Sequence, residues 1–207
     1  MYRHTKQVVT AGVPAEQAKK AIIMLHGRGA SASGIISLKD HLELDGFAIY
    51  APQANEHSWY PYSFMAPVEN NQPALDSALE VIGELVDDLK QKGIAQEDIY
   101  FLGFSQGACL TLEYTGRNAG SYGGIIAFTG GLIGEQLVKE NYKGDFSNTP
   151  VLITTGDPDP HVPVSRVNES AEILKELNAD VTLKIYKGRQ HTISGEELAL
   201  ANTILKN

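Results

Sequence analysis

The sequence predicts an α/β fold, with a mainly parallel central sheet and helices on both of its faces. Three observations carry that prediction. Continuous apolar runs at 21–26 and 47–51 suit central strands covered on both sides, and 98–102 reads as a buried strand. Amphipathic stretches of helical period separate such runs, most clearly over residues 73–92. Finally, Gly103-Phe104-Ser105-Gln106-Gly107 sits where an apolar run turns sharply into a helix. In such a turn a Cβ beside the serine would collide with neighbouring backbone, and the serine hydroxyl is held clear of the sheet.

Val8 and Val9 lie in a first strand, closed by Gly12 and Pro14. Residues 21–26 form the second strand and 47–51 the third, which Pro52 stops. Between these two, Ile35, Ile36, Leu38 and Leu42 predict a short amphipathic helix over 34–44. Leu75, Leu79, Ile82, Leu85, Val86 and Leu89 recur at helical spacing over 73–92; Pro73 suits the first turn and Gly93 ends it. The strand at 98–102 feeds the Ser105 turn, and residues 108–114 continue as a helix. Further strands follow at 125–128 and 151–154. A helix over 165–178 turns Val167, Ala171, Leu174 and Leu177 inward, 181–186 alternates as a strand near an edge, and a last helix covers 194–205. No repeat or long linker interrupts this alternation, so a single domain over 1–207 is expected.

A formal charge of −8 disfavours nucleic acid and anionic membranes as partners, since both reward Lys and Arg. The start of the chain has no basic region followed by an apolar one, and no run approaches eighteen apolar residues, so stable membrane insertion is not expected. The lone Cys109 cannot form an internal disulfide, which fits a cytoplasmic location, and its place beside Leu110 predicts a packed, inert thiol.

Strands that alternate with helices place functional residues on loops at the carboxyl ends of the strands. Ser105 is the candidate nucleophile, but a serine near neutral pH needs a base, and the base needs a group that fixes its tautomer. Of six histidines, His191 follows the strand ending at Tyr186 and precedes the last helix, so its imidazole can come down onto Ser105. His4 is near a terminus, His41 and His57 have no strand end to place them, and the residues around His26 point to another task. Either Asp157 or Asp159 can supply the acid; prolines on both sides of Asp159 fix its backbone, while a turn or capping role suits Asp157. His161 reads as a loop residue near the rim. A tetrahedral intermediate needs two aimed N–H donors. The Gln106 amide at a helix N-terminus is one candidate, and the Arg28 amide in the glycine-rich turn 25–30 is the other.

The segments LHGRGAS (25–31), GFSQGA (103–108), GDPDPHVP (156–163) and GRQHTIS (188–194) are spread along nearly the whole chain. Together they make the chain resemble the phospholipase/carboxylesterase family of small serine hydrolases, which also includes acyl-protein thioesterases. The resemblance implies an α/β-hydrolase fold without a large cap domain, and chemistry that uses neither metal nor cofactor. The family pattern G-x-x-D-x-x-V-P puts the acid on Asp159, and the order Ser105, Asp159, His191 is that of α/β-hydrolases. Two departures stand out: Gln190 precedes His191 where the family usually has Gly, and the stretch from His57 to Phe64 replaces the Trp-Phe-Asp of many thioesterase members. HGRGAS together with WYPYSF is similar to a bacterial subgroup of general esterases, some linked to quinone or aromatic stress.

Trp59, Tyr60, Tyr62, Phe64 and Met65 form the densest aromatic stretch, in a loop after the third strand. The functional expectation is an apolar wall for the substrate, with Trp59, Phe64 and Met65 as binding residues; the bland one is a loop folded onto the core. The leading expectation is therefore a serine carboxylesterase for small-molecule esters with short or aromatic groups. A long-chain thioesterase or lysophospholipase is the alternative within the class, and a non-catalytic small-ligand binder on the same scaffold is the alternative outside it. Shared apolar loop residues are compatible with a homodimer.

Overall fold

Apolar, β-rich runs set the strands, and the computed structural model, which describes residues 2–206, arranges seven of them in one sheet. They are β1 (Val8–Gly12), β2 (Lys20–Leu25), β3 (Phe47–Pro52), β4 (Ile99–Phe104), β5 (Gly124–Phe128), β6 (Pro150–Asp157) and β7 (Asp180–Lys187). The spatial order is β1-β3-β2-β4-β5-β6-β7; β1 runs antiparallel to β3 and every other pair is parallel. The runs with almost no exposed residue, β2, β4 and β5, occupy the middle, whereas β7 alternates between exposed and half-buried residues at one edge. Met1 and Asn207, the ends of the expected domain, lie outside the described residues.

Six helices cover the sheet: α1 (Ala32–Ile36), α2 (Val68–Asn71), α3 (Ala74–Gln91), α4 (Gln106–Arg117), α5 (Val164–Glu176) and α6 (Gly195–Leu205). Leu75 and Leu85 of α3, Leu110 of α4 and Leu174 of α5 share one buried cluster. Ile35 and Ile36 of α1 and Ala201 and Ile204 of α6 belong to a second cluster on the other face. This is the α/β-hydrolase arrangement. The longest connections, 53–67 and 129–149, form no cap domain over the strand ends.

One helix differs from its expected span. Helix α1 begins at Ala32, because the Ser31 side chain accepts the Gly34 N–H and caps it. It gives way at Ser37, whose hydroxyl donates to the Gly34 carbonyl at 2.7 Å, and the chain tightens into a 3-10 turn over Ser37–His41. Leu42 is buried just beyond that turn, so the apolar spacing marks the buried face although the helix is shorter than the expected 34–44.

Because β2 to β7 share one direction, the loops after β2, β3, β4, β6 and β7 gather at one end of the sheet.

Candidate active site

Ser105 joins β4 to α4 with φ 54° and ψ −117°, a left-handed conformation that costs a serine of order 1–3 kcal/mol. Close packing holds it there. A Cβ on Gly103 would strike the Gly107 carbonyl group and the Thr111 hydroxyl, and one on Gly107 would strike the Leu25 and His26 carbonyls. Helix α4 therefore starts almost in contact with the end of β2. The Ser105 N–H donates to the Phe128 carbonyl at 3.0 Å, which ties the turn to the end of β5.

His191 Nε2 lies 2.8 Å from Ser105 Oγ, and its Nδ1 lies 2.8 Å from Asp159 Oδ2. The other oxygen of Asp159 is held too: Oδ1 accepts the N–H groups of His161 and Val162, each at 2.9 Å. Burial works against its charge, but those N–H donors and His191 outweigh it and hold the carboxyl below its ordinary value. The ionised Asp159 thus accepts the hydrogen bond of Nδ1–H, fixes that tautomer and leaves Nε2 to accept from Ser105. The imidazole packs against Phe104 and His161, with ring centroids 5.2 and 5.1 Å away. Of the two aspartates, Asp159 is the one brought to the histidine; Asp157 is exposed and its carbonyl accepts the Gly188 N–H.

His26 has no exposed surface and organises the turn that carries Arg28. Its Nε2 accepts the Ala54 N–H at 3.1 Å, so its proton sits on Nδ1 and donates to the Gly27 carbonyl at 2.8 Å. Burial lowers the His26 pKa and keeps the ring neutral. Ala30 N–H also donates to the Gly27 carbonyl, at 3.1 Å. In a trans peptide C=O and N–H point in opposite directions, so fixing the Gly27 carbonyl aims the Arg28 N–H the other way. Neither the Arg28 nor the Gln106 N–H meets an acceptor among the described residues, and both residues line the cleft.

The cleft has a volume of about 520 Å³ and opens over Ser105 and His191. Tyr60, Phe64, Cys109 and Val162 contribute its apolar lining. The Gln106 side chain stitches one wall in place: Oε1 accepts the Trp59 N–H at 2.9 Å, and Nε2 donates to the Tyr60 carbonyl at 2.8 Å. The Arg28 guanidinium holds the same wall by donating to the Pro61 and Tyr62 carbonyls at 2.8 and 2.6 Å. Burial pushes the Cys109 thiol up to about 12, the inert state expected of it.

Of the three residues expected in the substrate wall, only Phe64 borders the cleft. Trp59 is wholly buried behind it: its indole N–H donates to the His26 carbonyl at 2.9 Å, and its rings pack against His4 and His26. Met65 is half-buried against the core. Indole geometry explains the correction, since a buried Trp needs an acceptor and the His26 carbonyl lies inside. His4, although near a terminus, is buried as well, with Nε2 at 2.9 Å from the Trp59 carbonyl.

Among the described residues, no three His, Cys, Asp or Glu side chains converge as a metal-ligand set, and no helix is long and apolar enough to cross a membrane. The family described as phospholipase/carboxylesterase matches residues 5–207. A phospholipase/carboxylesterase of known structure from Dyadobacter fermentans DSM 18053 is 66% identical, with 99% of each chain covered and a TM-score of 0.98. An acyl-protein thioesterase 1 of Kluyveromyces lactis is 30% identical over 211 residues, covering 89% of this chain and 90% of that protein. The structure of an esterase called PE8, 24% identical, shares the fold with a TM-score of 0.80 over 99% of each chain.

Proposed function

This chain belongs to the phospholipase/carboxylesterase family, and from that premise we propose that it is a serine carboxylesterase acting on short-chain or aromatic esters. One observation carries the reading: a strained serine, a histidine and a buried aspartate side chain are joined by two 2.8 Å contacts, and the serine and histidine line a cleft.

In this reading Ser105 Oγ attacks the ester carbonyl as His191 Nε2 takes its proton, and Asp159 stabilises the imidazolium. The carbonyl oxygen becomes an oxyanion between the Arg28 and Gln106 amides. Collapse breaks the bond to the alcohol, which leaves with the proton from His191. A water then adds to the acyl-enzyme, giving its proton to His191, and the second collapse returns that proton to Ser105 and frees the acid. The preference for small groups rests on the cleft's modest volume and on a wall fixed from two sides, by Gln106 and by Arg28. The whole chain acts here as one domain, without a metal or cofactor.

The test is a panel of p-nitrophenyl esters from acetate to palmitate, with a palmitoyl thioester alongside, on the wild type and Ser105→Ala. The expected result is turnover that peaks at short chains and falls by about 10⁴-fold or more in the variant. Turnover rising toward palmitate or the thioester would replace this reading with the thioesterase or lysophospholipase one. Absence of Ser105-dependent turnover on every substrate would overturn the catalytic reading in favour of a ligand-binding protein.

A further inference from the structure

Arg189 lies two residues before His191, and its side chain is nine-tenths buried, an unusual setting for a loop arginine. Its Nη1 donates to the carbonyls of Gln190 and Thr192, the two residues that bracket His191. Its Nη2 donates to the Thr129 hydroxyl at 2.8 Å and lies 3.5 Å from Glu197 Oε1. Glu197, in the first turn of α6, has no exposed surface; it accepts the Thr154 hydroxyl at 2.5 Å and the Ser194 N–H and hydroxyl at 2.8 Å each.

Thr129 is the second informative member. It has φ 61°, an outlier for a β-branched residue, and no exposed surface. The preceding carbonyl, that of Phe128, accepts the Ser105 N–H at 3.0 Å, and the Thr129 N–H donates to the Thr154 carbonyl at 2.8 Å. One guanidinium thus bridges the loop carrying His191 to the residue that follows the anchor of the Ser105 turn.

The geometry points to Arg189 as the positioning residue that holds His191 on Ser105, with Thr129 and Glu197 as its anchors. The inference rests on the proposed roles of Ser105 and His191. A lysine cannot replace this arginine: one ammonium on a flexible stem does not span two loop carbonyls and the Thr129 hydroxyl at once, although it still balances Glu197. The steady state and the proton between His191 and Asp159 read the role separately.

Arg189→Lys and Thr129→Val are compared with the wild type on the best p-nitrophenyl ester. The Arg189→Lys kcat should fall about 10- to 100-fold, the cost of a misplacement near 1 Å, with KM within about twofold. Thr129→Val should give a smaller loss of the same kind. The low-field Nδ1 proton resonance of His191 should broaden or vanish in Arg189→Lys while the far-ultraviolet circular dichroism stays native. An unchanged resonance and kcat in folded Arg189→Lys would overturn the inference, as would a loss carried wholly by KM. Should Arg189→Lys fail to fold, an unaltered resonance and kcat in Thr129→Val would overturn it instead. Were the wild type itself inactive, the catalytic reading would fail, while the resonance would still decide whether Arg189 orders His191.

Discussion

Trp59 stands between His4 and His26 with its indole N–H on the His26 carbonyl and no exposed surface, so its replacement tests what this loop is for. In Trp59→Phe the His26 carbonyl loses its donor inside the protein, which costs about 1–3 kcal/mol. The smaller ring forfeits further packing worth about 1 kcal/mol. The total is about 2–4 kcal/mol. For 207 residues the entropy of unfolding is about 0.4 kcal/mol per kelvin, so Tm should drop by roughly 5–9 °C. The assay pairs differential scanning calorimetry with the p-nitrophenyl ester panel, run well below the lowered Tm. Acyl-length preference should stay in place, because the ring does not reach the cleft. Phe64→Leu, which does border the cleft, should shift that preference instead. A Trp59→Phe variant with an altered chain-length profile and a Tm within about 1 °C of the wild type would refute the reasoning and return Trp59 to the substrate wall.

Two further outcomes follow from the same packing. Gly107→Ala drives a methyl into the Leu25 and His26 carbonyls, so it should cost about 2–3 kcal/mol or more and lower kcat over tenfold by moving Ser105 from the Arg28 amide; melts and kinetics together check this. His26 should make stability depend on pH. Burial depresses its folded pKa below the ordinary 6.5, so the unfolded chain takes up the proton first. Its contribution is therefore complete above about 6.5 and is lost as pH falls from there through the folded value, at up to about 1.4 kcal/mol per unit. His4 shifts in the same direction, also through burial, so Tm against pH for His26→Gln should keep one histidine's share of the wild-type slope; an unchanged slope would exclude His26 as a contributor.

The parts of the fold that follow from local pattern were legible in the sequence. The apolar runs of β2 and β4 read as buried strands and lie in the middle of the sheet, while the equally apolar run of β3 lies next to edge strand β1; the spacing from Leu75 to Leu89 reads as the buried stripe of α3. Gly103 and Gly107 were readable for a steric reason that the contacts repeat atom by atom. The antiparallel pairing of β1 with β3 was not readable, because pairing partners are set by the whole sheet and not by the strand. Nor was the direction in which the aromatic loop folds. Trp59 and Phe64 are both large, apolar and five residues apart, and only the buried carbonyl of His26 decides which one turns inward. Arg189 was invisible for a similar reason: a loop arginine reads as solvated unless its buried partners, just after β5 and on α6, are known.

These placements constrain how specificity and chemistry can vary in this protein. In the proposed reaction Gln106 offers its backbone N–H to the oxyanion, while its side chain holds the Trp59 N–H and the Tyr60 carbonyl. In that reaction Arg28 would do the same, and its guanidinium sits on the Pro61 and Tyr62 carbonyls. Each proposed oxyanion donor is therefore also a clamp on the cleft wall. In the proposed mechanism, a substitution that loosens the wall to admit a longer acyl group should also move the peptide that stabilises the transition state, because the two functions share one residue on each side. Wider specificity without loss of rate would have to come from residues outside both clamps. Phe64 and Val162 border the cleft, and neither side chain makes a hydrogen bond to Arg28 or Gln106, so they are the positions where acyl preference can change while the oxyanion geometry stays fixed.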